Sequence, residues 1–154
     1  MSYWLMKTEP TAFSIEDLAK APRSTTAWDG VRNFQARNML RDQMKKGDLA
    51  FLYYSSTDVP GIVGVMEIVK EGYPDTTAFD KKHHHYDADS DPKNPRWYMV
   101  DVKLKERLKR IVTLVELRSH AAQELQGMVL LKPGNRLSVT PVDAAHWKFI
   151  RSLE

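Results

Sequence analysis

An α+β domain wrapped around one curved, mixed β-sheet is the fold class this sequence predicts. Three observations carry that expectation. Five or six apolar stretches rich in aromatic and β-branched residues read as strands, and four amphipathic stretches lie among them as helices. Several of the strand stretches follow one another closely enough to pair directly. At 154 residues the chain has the length of one ordinary domain, 1–154, and no repeat, low-complexity tract or linker divides it.

Tyr3 to Met6 reads as a buried first strand, ended at Pro10, whose ring nitrogen cannot donate to a ladder. Phe13-Ser14-Ile15-Glu16-Asp17-Leu18 is a helix start. Ser14 is the N-cap, Asp17 can reach back to it, and Phe13 can staple onto Leu18. This helix ends near Pro22. From about Asn33 to Lys46 the pattern is again helical. Ala36, Met39, Leu40, Gln43 and Met44 share one face, and Arg37, Arg41 and Lys45 form a basic stripe away from it. Gly47 suits the turn that follows.

Leu49 to Tyr54 and Gly61 to Val69 are strands whose six-residue connection predicts a hairpin. Gly61 and Gly64 leave room for another segment to approach. Pro74, Pro92, Pro95 and many charges make 72–95 an irregular excursion, long for a compact domain, and so either a lid or a poorly ordered loop. Trp97 to Lys105 alternates as a half-exposed strand with Tyr98, Val100, Val102 and Leu104 on one face, and Ile111 to Leu114 extends it or pairs nearby. Short helices over 115–126 break at Gly127. Arg136 to Val142 is a last strand, and Asp143 caps a final helix that packs Ala144, Trp147, Ile150 and Leu153 inward.

The bulk properties exclude more than they identify. A net charge of +3 is compatible with a polyanionic partner without requiring one. The absence of cysteine removes disulfides, iron–sulfur clusters, zinc–thiolate sites and thiol nucleophiles, and fits a reducing compartment. No signal-peptide pattern opens the chain and no apolar run is long enough to span a bilayer. The expectation is an intracellular, cytoplasmic protein (nuclear in a eukaryote), monomeric and without a membrane partner. Phosphate-binding glycine loops and the common hydrolase and metalloprotease signatures are missing. His83-His84-His85 with Asp87, Asp89 and Asp91 resembles a metal loop, but consecutive histidines point apart and Pro92 stands where a calcium loop needs glycine. A polar surface loop, with no metal and no cofactor, is therefore expected.

The chemically richest stretch is Trp28-Asp29-Gly30-Val31-Arg32-Asn33. An aromatic on a glycine-containing turn before a helix offers a π-face, a carboxylate acceptor and free backbone N–H groups together. Trp28 is read as one wall of a pocket for a planar base, with Arg32 and its neighbours on phosphate. Trp4, Trp97 and Trp147 fit a core. Tyr53 and Tyr54, at a strand end, must point to opposite faces. Base–aromatic stacking contributes roughly 1–3 kcal/mol per base, enough for such a pocket to dominate recognition.

Several blocks together resemble the EVE domain family: Tyr3 to Pro10, Phe13 to Leu18, Trp28 to Asn38, Gly61 to Gly64, Tyr73-Pro74-Asp75 and Arg136 to Val142. The resemblance implies a PUA-like fold, a curved, barrel-like mixed sheet with flanking helices, shared with YTH domains that hold a methylated adenine in an aromatic cage. It implies a non-enzymatic module that recognises a modified base, modified cytosine in DNA first and modified RNA second, with nucleic acid as partner. By position, Trp28 falls where YTH domains place a cage tryptophan. Asp29, Gly30, Val31 and Asn33 continue that wall. Thr8 lines the pocket with Lys7, Tyr54 and Ser55 form its rim, and Trp97 is a further aromatic. Leu137, Ser138 and Val139 complete it. Lys7, Arg32 and Arg37 are assigned to phosphate, and no residue to catalysis. The residues leave two other classes open: a nuclease or base hydrolase, for which Asp29 with Lys7 is the available pair, and a small-molecule sensor or interaction module.

Overall fold

The computed structural model describes residues 1–154. Its strands are β1 (Tyr3–Thr8), β2 (Thr25–Ala27), β3 (Leu49–Tyr54), β4 (Gly61–Pro74), β5 (Tyr98–Thr113) and β6 (Val139–Val142). They form one sheet in the order β2-β5-β4-β3-β1-β6. β1 and β3 are parallel and every other neighbouring pair is antiparallel, so the sheet is mixed, as expected. The parallel pair needs a crossover, and α1 (Ile15–Lys20), β2 and α2 (Phe34–Asn38) supply it. α3 (Leu114–Ser119) and α4 (Ala144–Arg151) follow β5 and β6.

Both faces of the sheet are buried. Met6, Leu52, Met66, Val100 and Val102 pack with Leu18, Ala36 and Leu40 on one face. Leu5, Phe51, Val65 and Val112 pack with Leu117, Trp147 and Ile150 on the other. Adjacent residues such as Leu5 and Met6 thus serve opposite cores, which is why the central strands read as continuous apolar runs. Tyr53 lies in the second core and Tyr54 packs against the first, the split that strand geometry demands. Trp147 is a core residue, stacked on Tyr3 and Phe51 at ring-centroid distances of 4.6 and 3.8 Å.

Two strands outrun their sequence pattern. β4 and β5 are 14 and 16 residues long, and their pairing shifts register four times. Such bulges bend and coil a sheet, and curvature follows. Lys103 to Lys109 is largely exposed, so the apolar alternation stops while the ladder continues. At Gly64 a Cβ would come within 2.7 Å of Ile15 Cδ1 and 3.0 Å of the Glu106 carbonyl, so this glycine seats α1 against the β4–β5 ribbon.

Local signals fare unevenly. The α1 capping box forms as read: the Asp17 amide donates to Ser14 Oγ at 3.1 Å, and the Ser14 amide to the Asp17 carboxylate at 2.9 Å. The expected single helix from Asn33 to Lys46 is instead short α2 running into a π-turn, Met39–Gln43. The wider turn rotates the apolar face, leaving Gln43 exposed while Met44 is buried. In α4, Ala144 is exposed and His146 takes the inward place beside Trp147 and Ile150; Asp143 is the N-cap residue but makes no side-chain cap bond. The last strand starts at Val139 rather than Arg136. The 72–95 excursion is more regular than expected. β4 reaches Pro74, a 3₁₀ turn spans Thr76–Phe79, and Asp80, Asp87 and Asp91 each accept from the amide two residues on at 2.9–3.0 Å. Asp87 and Asp91, two of the three acids that resemble a calcium loop, are thus turn formers. No helix is long and apolar enough to cross a membrane.

Candidate functional site

A cavity of about 490 Å³ opens between the end of β1 and the turn after β2. That is within the usual range of small-molecule sites, about 300–1,000 Å³. Lys7, Thr8 and Glu9 form one side, continued by Ala12 and Phe13; Thr26 to Gly30 form the second; His84 and His85 close the third.

Trp28 is set by its backbone, whose amide donates to the Val100 carbonyl at 2.8 Å and prolongs the β2–β5 pairing. The residue is only 8% exposed and belongs to the first core, with the Phe13 ring edge-on to its own at 6.4 Å. It is therefore a rigid wall rather than an open platform. Thr8 Oγ1 donates to the Phe13 carbonyl at 2.9 Å and closes the turn between the two sides. The Lys7 amide donates to the Ser138 carbonyl at 2.8 Å. Burial alone pushes the Lys7 ammonium below its usual pKa.

His85 lies directly over Gly30. A Cβ on Gly30 would sit 2.3 Å from the imidazole Cε1, and the backbone there has φ +78°. Burial lowers the His85 pKa; the Asp29 carboxylate, 3.9 Å from Nδ1, opposes this, while His84, Arg32 and His83 reinforce it. His85 Nδ1 is buried without a hydrogen-bond partner. The expectation that the three histidines point apart is corrected here. The tight turn gathers their rings at centroid distances of 3.9–4.9 Å, with His83 and His84 stacked, and brings one ligand nitrogen from each within 4.8 Å of the others. Gly30→Ala is expected to lose about 1 kcal/mol or more of stability, because the backbone is strained and His85 must leave. Thermal unfolding and the His85 ring proton shifts measure the two parts separately.

The second wall is clamped by Asp75, a residue that sequence reasoning missed. Its side chain is fully buried. It accepts from the Gly30 amide at 2.8 Å, from Arg32 at 3.0 Å, and from the amide and hydroxyl of Thr77 at 3.0 and 2.5 Å. Burial pushes its pKa up, but the hydrogen bonds from Thr77, Gly30 and Arg32 outweigh it and hold the carboxyl below its ordinary value. The signal in the sequence is faint: an Asp two residues before a Thr is a turn motif, and its burial is invisible.

Several expected site residues lie outside the cavity lining, and each has a structural reason. Arg32 spends its guanidinium on Asp75, Thr77 and the carbonyls of Val31 and His85. Arg37 donates to the Arg96 carbonyl at 2.6 Å and to Asn38 at 2.8 Å. Trp97 stacks on Phe34 at 4.8 Å and donates to Asp87 at 2.6 Å. Tyr54 accepts from the Ile15 amide at 2.8 Å, and Ser55 donates through its amide to the Thr8 carbonyl at 3.0 Å, so this pair braces the wall from behind. Val31 is a core residue, and Asn33 caps α2 by accepting from Ala36. Val139 is buried, Leu137 packs beside it, and Ser138 reaches Lys7 only through its carbonyl.

The EVE domain model matches residues 2–153. The chain belongs to the EVE domain family. Human thymocyte nuclear protein 1 is 48% identical over 168 residues, an alignment that covers 99% of this chain and 74% of that protein. The structure of human THYN1 protein in complex with 5-methylcytosine-containing DNA superposes with a TM-score of 0.95 at 46% identity, covering 99% of this chain and 97% of that one. A Pseudomonas syringae protein superposes at 0.92 and 43% identity, covering 99% of each. The fold is thus PUA-like. In this EVE domain the blocks that carry the resemblance meet in space. Trp28 to Gly30 of the third block lie in the second wall, Asp75 of Tyr73-Pro74-Asp75 clamps it, and Val139 to Val142 of the last block pairs with β1.

Proposed function

We propose that this EVE domain reads modified bases in DNA, with 5-methylcytosine as the preferred guest, and performs no chemistry on them. The observation that carries the reading is the Trp28 cavity on a scaffold so similar to human THYN1 protein, which was solved with 5-methylcytosine-containing DNA. A single base leaves the strand and enters between the β1 end and the Trp28 turn. Trp28 and Phe13 provide the apolar flanks for ring and methyl group. Asp29 accepts from the exocyclic amine, and Lys7, whose charge burial makes costly, donates to the guest's carbonyl or phosphate. Asp75 and Arg32 hold the wall in place from behind.

Flipping a base costs a few kcal/mol, so mismatched or single-stranded targets bind better than intact duplex. One methyl group in an apolar pocket is worth roughly 1–3 kcal/mol, or about 10- to 200-fold. Fluorescence anisotropy with matched oligonucleotides carrying cytosine or 5-methylcytosine, in DNA and in RNA, is expected to show that preference in DNA. Equal affinity for the methylated and unmethylated DNA overturns the reading. Mass spectrometry of the recovered oligonucleotide tests the Asp29–Lys7 pair for turnover, and a changed base overturns the non-enzymatic part.

A further inference from the structure

A second hollow, of about 860 Å³, adjoins the cavity. The two share Thr26 and Ala27 of β2, the outermost strand at that end of the sheet. Asp101 and Lys103 in the hollow alternate with core-facing Val100 and Val102, so it lies on the opposite face and is reached around the free edge of β2. Arg23, Lys70 and Lys103 line it, all exposed and, like most lysines and arginines of the molecule, none in an ion pair. The one acid in the hollow, Asp101, is occupied by the Tyr73 hydroxyl, and the Lys70 ammonium lies 3.9 Å from the Tyr73 ring centre. Arg23 and Ser24 are consecutive non-glycine residues in left-handed backbone, at φ 58° and 51°. Strain of this kind persists only where the surroundings hold it, and it gathers at functional sites.

We infer that this hollow is a phosphate track: the strand whose base occupies the cavity crosses the β2 edge, and Arg23, Lys70 and Lys103 take its flanking phosphates. The inference rests on the cavity being the base site. It replaces Arg32 and Arg37, whose guanidinium groups are committed internally, with three cations that are free. Phosphate contacts position the strand without reading its sequence. The track therefore raises affinity for methylated and unmethylated DNA alike, while the cavity sets their ratio.

The test neutralises the track in Arg23→Gln/Lys70→Gln/Lys103→Gln and compares it with Lys109→Gln/Lys132→Gln/Lys148→Gln, a control of equal charge at exposed sites remote from the hollow. Binding to methylated and unmethylated DNA is measured over a salt series. Each phosphate contact contributes about 0.7–0.9 to the slope of log affinity against log salt, so the track variant is expected to lose about two to three from that slope. Its affinities for both DNAs fall by the same factor and their ratio is kept; the control keeps the parental slope. An unchanged slope in the track variant, or an equal loss in both variants, overturns the track. Loss of methyl preference in the parent overturns the cavity reading instead, so the two failures are distinct.

Discussion

Trp28→Ala is expected to cost both the fold and the preference for methylated DNA. The ring is a buried member of the first core, and truncating a buried tryptophan loses about 3–5 kcal/mol. For a chain of this size that lowers the melting temperature by roughly 6–20 °C. Binding, measured well below the new transition, loses the stacking contribution of about 1–3 kcal/mol, or about 5- to 150-fold for the methylated oligonucleotide. The affinities for methylated and unmethylated DNA then converge. Trp28→Phe separates the two effects, since it retains most of the apolar contact and stays folded. A Trp28→Ala protein that binds methylated DNA as tightly as the parent removes Trp28 from the site.

The second large effect is expected at Asp75. In Asp75→Ala the Gly30 amide and the Arg32 guanidinium lose their common acceptor, and breaking a buried charged pair costs about 3–5 kcal/mol. The pH dependence has a definite sign. The folded carboxyl titrates below its unfolded value, about 3.9, so its contribution is present above that pH. It is lost as the pH falls through the lower folded value. The parent therefore loses stability in acid more steeply than Asp75→Asn, whose stability is already lower at neutral pH. Hydrogen exchange of the Gly30 amide reports the clamp directly and should accelerate in the variant. Unchanged exchange at Gly30 would mean that the wall is held by something else.

These two residues mark how far the sequence can be read. Trp28 is legible because its neighbours, Asp29 and Gly30, are a local turn signal. The α1 start at Ser14 and the opposed Tyr53 and Tyr54 are legible for the same reason, as capping and strand alternation act within a few residues. Asp75 is not legible, because its partners Gly30 and Arg32 arrive from 43–45 positions away. Asp48 is similar: it reads as a turn residue, yet it is buried and accepts from the Ser2 and Lys45 amides and the Trp4 indole at 3.0–3.1 Å. Arg32 shows the converse. Its charge and its place beside Trp28 point to phosphate, and only the folded chain reveals a buried carboxylate that claims it first. The histidine run is misjudged because sequence neighbours diverge on a strand or helix but not on a tight turn.

The position of β1 between β3 and β6 has a consequence for biosynthesis. The ribosome releases β1 well before β6, and the Lys7 amide finds the Ser138 carbonyl only once both are made. Until that moment β1 has an unpaired edge, the kind of edge that invites misassociation between nascent chains. Lys7 and Thr8 already pair with Tyr53 and Tyr54 of β3, and the Ser138 carbonyl adds the second hold on Lys7. An unfinished chain thus holds the Lys7 side of the cavity from one edge only, and the second edge closes with the strand made long after the Trp28 turn.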